Sequence, residues 1–272
     1  MTIPKIKYLT NKDLLKEIHL SKNTYCTYTD KAYGDYDLIV PNLSKINIRT
    51  IAEAKRNRAS RLAKLAHEAA VIAGGKKLPA KEFEIDYKTI KKTDVVFRVM
   101  TFEHVPLAPG RKKTLKNTAD SHEKVNFPPF QHWKFDENDN LILVGKSHWK
   151  GDLQTGVFDK EHGQMTNNLA RMFIKLCERY ATRGNVRGYT YNDEMKASAI
   201  LQLTYVGLRF NEAKSANPFA YYTAAITNSF CRVLNTEKRS QNIRDDILEM
   251  NGLNPSLTRQ MSGTKIGQGL NQ

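Results

Sequence analysis

Among the side chains of this 272-residue chain that could hold a metal or move a proton, His104, His122, His132, His148 and the adjacent Glu161 and His162 invite a metal reading. None falls in an HxxxH or HExxH pattern or beside a cysteine at ligand spacing, so the reading is no metal and no cofactor. No GxSxG elbow, paired-glycine cofactor loop or acidic cluster occurs, and Gly74-Gly75-Lys76-Lys77 lacks the GxxxxGK[ST] spacing of a phosphate loop. A nucleophile, histidine and acid gathered from distant positions is the one catalytic arrangement left open; the reading is a non-enzyme. What the sequence offers instead is cationic. Lys55, Arg56, Arg58, Arg61 and Lys64 recur along a predicted helix, and Arg111, Lys112 and Lys113, with Lys116, fill a loop after Pro109-Gly110. Such groups either sit in solvent or pair with phosphates in a sequence-independent way.

The net charge of +15, with a pI near 9.6, makes a polyanion the first partner to consider. Residues 1–150 hold 28 basic against 17 acidic residues, so most of the excess lies in that half. A hydrophobic content of 40% with dispersed charge indicates a folded chain rather than a disordered one. No apolar run approaches the roughly 20 residues that cross a bilayer, and Met1-Thr2-Ile3-Pro4-Lys5 lacks a signal-peptide core, so a cytosol is expected. Cys26, Cys177 and Cys231 are far apart and without CxxC spacing, which suits reduced thiols.

The elements that would position these groups are mainly helical. A short helix is expected from Asp13 to Leu20, capped by Thr10 or Asn11, with Leu14, Leu15 and Ile18 on its apolar side. Thr50-Ile51-Ala52-Glu53 reads as a capping box opening a helix to about Ala73. Period-two patterns follow at Phe83, Ile85 and Tyr87, at Val95–Phe102, and at Phe130–Phe135 facing Leu141–Val144 across the turn Asp136–Asn140. They predict an α+β region with a small antiparallel sheet. A helix is expected from Thr166 to Tyr180. Two more follow: one starts at the Thr190/Asp193 signature and carries Met195, Leu201, Leu208 and Phe210; the other starts at Asn217-Pro218 and carries Phe219, Tyr222, Ile226, Phe230 and Val233 up to Lys238-Arg239. A last helix is expected at Ile243–Met250, ended by Asn251-Gly252, and the tail beyond Pro255 reads as loose.

Glu194-Met195, the run to Leu208-Arg209-Phe210, Asn217-Pro218-Phe219-Ala220-Tyr221-Tyr222-Thr223, then Phe230, Arg232 and Thr236-Glu237-Lys238-Arg239 resemble region 2 of bacterial-type sigma factors, and among them most of all the late-transcription sigma factors of T-even-like bacteriophages. Pro4-Lys5-Ile6-Lys7-Tyr8, with Asn11–Leu15, is similar to the start of those proteins. The resemblance covers roughly the first 25 residues and residues 160–250. It implies a mainly α fold: an N-terminal helix in 1–24 docking on the core, a basic α+β insertion at 25–155, a sigma region 2-like helical bundle at 156–250, and a flexible tail at 251–272. The implied function is that of a phage late sigma factor in the cytoplasm of an infected bacterium. Glu194, Met195, Ser198, Gln202 and Arg209 would bind the largest-subunit coiled coil of core RNA polymerase. Tyr222, with its neighbour Tyr221, would stack on a base flipped from a TATA-like minus-ten element. Asn228, Ser229, Arg232, Lys238, Arg239 and Arg244 would touch promoter DNA upstream of it. Where housekeeping sigma factors carry paired tryptophans this chain has Ala225-Ile226, and too little chain follows residue 250 for a minus-thirty-five reading module. Relatives add a co-activator and a sliding clamp bound through an acidic, hydrophobic C-terminus, a character that Gly263–Gln272 lacks. The alternative is a non-specific DNA-binding or virion-associated protein that shares only a helical unit.

Overall fold

The computed structural model describes residues 9–74, 79–110 and 121–261. The motifs at Pro4–Tyr8, Arg111–Lys113 with Lys116, and Gly263–Gln272 lie outside them. The described chain forms two compact units, one built from residues up to 170 together with 206–219, the other from 171–205 and 220 onward. The first thus reaches beyond the insertion boundary expected at 155.

In the first unit, α1 (Asn11–Asn23) opens on a reciprocal capping box between Thr10 and Asp13 and buries Leu14 and Ile18. The sheet comprises β1 (Cys26–Tyr28), β2 (Leu38–Val40), β3 (Val96–Met100), β4 (Phe130–Phe135) and β5 (Leu141–Ser147) in the order β1-β5-β4-β3-β2. The β4–β5 hairpin turns at Asp136–Asn140, as the sequence pattern requires. The pairing is largely antiparallel, as expected, with one parallel edge: β2 runs parallel to β3. Between them lies α2 (Ile48–Gly74), a helical crossover of the kind parallel neighbours need. Thr50 is not its N-cap; Asn47 and Thr50 exchange side-chain and backbone bonds at 3.0 and 2.8 Å, starting the helix three residues earlier. The alternation at Phe83, Ile85 and Tyr87 is not a strand either. It falls in 3-10 turns at Ala80–Phe83 and Tyr87–Thr89, with Phe83 on His67 and Tyr87 under Arg56. A further ribbon pairs β6 (Trp149–Lys150) with β7 (Val157–Phe158).

Strand periodicity divides the core. Val95, Phe97 and Val99 join Val40, Ala54, Ala59 and Phe135 in an apolar layer beneath α2. Arg98, between Phe97 and Val99, therefore points to the opposite side, where it is fully buried. Its guanidinium lies 3.9 and 3.8 Å from the ring centroids of Tyr36 and Phe130. Its Nε donates to His132 Nε2 at 3.0 Å, so His132 carries its proton on Nδ1 and donates it to the Tyr33 carbonyl at 2.6 Å. Glu212 closes the cluster, one oxygen 2.9 Å from Arg98 and the other 3.2 Å from Lys22 Nζ. Burial alone would push the Glu212 carboxyl up, but Lys22 and Arg98 outweigh it and hold it below the usual range. Lys22 also donates to the Phe210 carbonyl at 2.7 Å, so the segment 206–219 is part of this unit's interior.

The second unit is built on three helices: α3 (Asn167–Ala181), α4 (Asn192–Val206) and α5 (Pro218–Met250). Phe173, Leu176, Cys177 and Tyr180 meet Met195, Ala199, Leu203, Tyr222, Ile226 and Phe230 as its buried residues. The break expected between Arg239 and Ile243 is absent, because Ser240-Gln241-Asn242 contains neither glycine nor proline to stop the helix. The stop comes at Gly252, whose φ of 68° lets its N–H reach the Glu249 carbonyl and that of Leu253 reach Leu248. Residues 251–261 are not a loose tail: Ser256 bonds the Asp245 carboxylate through both N–H and Oγ, and Arg259 pairs with Asp246 and Glu249. No helix among the described residues is long and apolar enough to cross a membrane.

Two outcomes follow from the first unit. Glu212→Ala leaves two cations buried without their carboxylate and is expected to cost about 3–5 kcal/mol in urea denaturation. A loss under about 1 kcal/mol would show that the cluster is not what holds this unit together. Separately, burial lowers His104 to about 4 and His148 to about 3. The unfolded imidazoles titrate near 6.5, so below that pH the unfolded chain binds the extra protons. Thermal stability should be flat with respect to these groups above pH ~6.5 and fall as pH drops from there towards 4 and 3. His148→Gln should make that fall shallower.

Candidate nucleic-acid interface

The outward face of α5 is the first candidate. At about 100° per residue, positions 221, 228, 232, 235 and 239 return to one side of the helix. Asn228, Arg232, Asn235 and Arg239 are exposed there and Tyr221 is half-buried at the N-terminal end. Neither Arg232 nor Arg239 forms an ion pair with a described residue. The row holds two amides and two cations and no acid before Asp246. Asparagine can bond adenine in the major groove, and arginine either guanine or phosphate. Lys238 and Arg244 are exposed too, but turned roughly 100° or more from this row.

Two residues expected at the DNA are corrected. Tyr222 is fully buried, its ring edge-on to Phe173 at 4.8 Å, so it has no face to offer a base. Tyr221, one residue and a quarter-turn away, is on the outward side. Ser229 is also buried, its Oγ 3.0 Å from that of Ser198 in the α4–α5 contact. That bond satisfies two hydroxyls inside the helix pair and takes both away from an outside partner.

The outward face of α4 differs in the same way from the expected polymerase surface. Met195 is fully buried and is corrected to a core residue; Ser198 is half-buried and occupied by Ser229. Glu194 is exposed, Gln202 half-buried, and Arg209 exposed in the 3-10 turn at Gly207–Arg209. On the same side as Glu194, at i+7 and i+11, Leu201 is 56% exposed and Tyr205 66% exposed. The sequence pattern places Leu201 with the apolar residues of this helix, whereas the structure leaves it outside; Tyr205 carries no separate sequence signal.

The five cations of α2 do not share one face. Arg58 and Arg61 turn to the buried Asp37 carboxylate, at 3.3 and 2.8 Å, and Arg61 also donates to the Tyr36 carbonyl. They are corrected to internal ion pairs. Arg56 and Lys64 are exposed and Lys55 half-buried, with Arg56 5.0 Å from the centroid of Tyr87. Arg56 and Lys64 line a groove of about 430 Å³ together with Ala59, Ala63, Glu84 and Asp86. Arg111, Lys112 and Lys113 lie outside the described residues.

Three of the candidate histidines have partners inside the first unit. His104 bonds the Ser147 carbonyl at 3.0 Å, His132 sits under Arg98, and His148 lies 4.1 Å from Phe127. Among the described residues no three His, Cys, Asp or Glu side chains converge as a metal-binding group. No protein-family model, no curated protein and no solved structure compared with this chain matches it.

The contrast between the two tyrosines is measurable. Tyr222→Ala should cost about 3–5 kcal/mol, as for other large aromatic truncations in a core, whereas Tyr221→Ala should cost far less in the same denaturation experiment. Equal losses would remove the distinction between inner and outer face on which this site rests.

Proposed function

We propose that this chain is a sigma-like transcription initiation factor, of the kind encoded by bacteriophages for late genes, that carries host core RNA polymerase to a TATA-like element. The observation that carries this reading is the pairing of α4 with α5 through Ser198 and Ser229, which leaves on α5 an outward row of Asn228, Arg232, Asn235 and Arg239 without acidic partners. In this reading Arg232 and Arg239 take phosphate contacts and the two asparagines reach base edges. Tyr221, half-buried at the end of the same row, is the aromatic group that an unstacked base would meet. The polymerase side is the outer face of α4, where Glu194 supplies charge and Leu201 and Tyr205 supply apolar anchors. Tyrosine is enriched at the energetic centres of such interfaces. No covalent step is required, and a co-activator or a sliding clamp would act as an accessory partner.

The experiment is a pull-down with bacterial core polymerase followed by run-off transcription on a TATA-like template. Capture of polymerase and a specific transcript are expected. Leu201→Asp with Tyr205→Ala should abolish capture while DNA binding persists. Arg232→Ala with Arg239→Ala should abolish the transcript while capture persists, and lower the slope of log K against log salt on duplex DNA by roughly 0.9 per arginine. Binding to DNA without polymerase capture and without sequence preference would replace this reading by that of a general DNA-binding or virion-associated protein.

A further inference from the structure

The loop between α3 and α4 carries features that neither helix packing nor the α5 row uses. Between Glu178 and Asp193 stand Arg179, Arg183 and Arg187 and no acidic residue. The loop is tightly folded. Val186 is buried, the Asn192 amide donates to the carbonyls of Ala181 and Val186 at 3.2 and 3.0 Å, and Arg183, Val186, Arg187 and Tyr189 all make backbone turn bonds.

On this frame Tyr189 and Tyr191 stack on each other, with centroids 5.1 Å apart and planes 26° from parallel. Tyr191 is half-buried and lies on the side of Glu237; Tyr189 is 36% exposed and forms the outer layer. Arg183 is exposed, with its guanidinium 4.3 Å from the Tyr180 ring centroid. Arg187 is exposed beside a hollow that it shares with Thr182, Lys196 and Glu178. Neither Arg183 nor Arg187 forms an ion pair with a described residue.

The glycines add an independent observation. Gly184 and Gly188 do not have left-handed backbones, and a Cβ on either would meet nothing within 4 Å. Neither packing nor conformation calls for glycine there. An approaching backbone would, because a missing side chain leaves the main-chain N–H accessible.

The geometry points to residues 182–191 as a binding site for single-stranded nucleic acid, in which a base stacks on Tyr189 and flanking phosphates meet Arg183, Arg187 and the open backbone at Gly188. An exposed aromatic platform needs an unstacked base, which duplex DNA does not offer, so the single strand is the favoured form. The site rests on the reading of this unit as a nucleic-acid binder, though on neither polymerase nor a promoter.

The test is fluorescence anisotropy with the full chain and a labelled mixed-sequence DNA single strand of about 15 nucleotides, against the same sequence as a duplex. Tyr189→Ala should weaken single-strand binding roughly 5- to 100-fold and leave duplex binding unchanged, while Tyr189→Phe should retain it. Arg187→Gln should lower the single-strand salt slope by roughly 0.7. Gly188→Ala should leave the melting temperature unchanged or raised yet weaken the single-strand complex. Single-strand binding that is absent, or insensitive to Tyr189→Ala and Gly188→Ala in folded variants, would overturn the site. Duplex binding that still depends on Arg232 and Arg239 would then leave the α5 reading intact. Loss confined to Tyr189→Ala in a variant with a lowered melting temperature is separated from binding by Tyr189→Phe and Gly188→Ala, which keep the fold.

Discussion

Two cations buried beside one carboxylate set the terms for the first unit. Arg98 has no exposed surface and Lys22 almost none, and Glu212 is the acid that both of them reach. An uncompensated charge in such surroundings costs several kcal/mol, so the three must be assembled together or not at all. Because Glu212 lies in the connection from α4 to α5, assembling the triad requires that this connection be part of the first unit's interior. Phe210 and Leu208, buried on either side of Arg209, reinforce the same attachment with apolar area. An unbroken chain of consequence therefore runs from one arginine in a strand to the anchoring of the segment that ends α4 and begins α5. The first N–H groups of α5 belong to it as well, since Phe219 N–H is capped by the Asn11 side chain at the start of α1.

The second unit turns on an angular rather than an electrostatic constraint. Successive residues on a helix face directions about 100° apart, and here that step separates a fully buried Tyr222 from a half-buried Tyr221. Phe173 and Tyr180 of α3 present rings to Tyr222 and Phe230, and that choice of inner face assigns every other position of α5. Ser229 is drawn inside, where its hydroxyl is satisfied by Ser198; Asn228 and Arg232 are left outside. The same logic on α4 hides Met195 and exposes Leu201 and Tyr205.

Much of the local structure was legible because it obeys short-range rules. The capping box at Thr10, the Asp136–Asn140 hairpin, Pro218 at a helix start and Gly252 at a helix end each follow from a few adjacent residues. What was not legible depends on partners far away in sequence. The parallel pairing of Leu38–Val40 could not be read from three residues, and the alternation at Phe83–Tyr87 had no neighbouring strand to make it one. Arg98 did carry a signal, as a charged residue in the middle of an apolar strand, but nothing local pointed to Glu212, 114 residues further on. In the candidate site the apolar stripe through Tyr222 was legible as a buried face. The family resemblance pulled Tyr222 to the outside, and the core, which needs that volume, keeps it.

Net charge illustrates why a count of cations is a poor map of a binding surface. The basic run of α2 holds five cations within ten residues, the densest array among the described residues of the first unit, yet Arg58 and Arg61 are consumed by Asp37 and hold α2 to the strand beside it. Pairs of this kind are satisfied at short range and contribute little to the field outside. The α5 row has fewer cations, and neither Arg232 nor Arg239 is paired with an acid among the described residues. Its alternation of amide and guanidinium also differs in kind from a lysine patch. Lysine delivers a point charge to any phosphate, whereas asparagine and arginine present fixed donor patterns that discriminate among bases. A helix face that combines both groups therefore differs chemically from a surface of lysines alone, whatever the total charge of each.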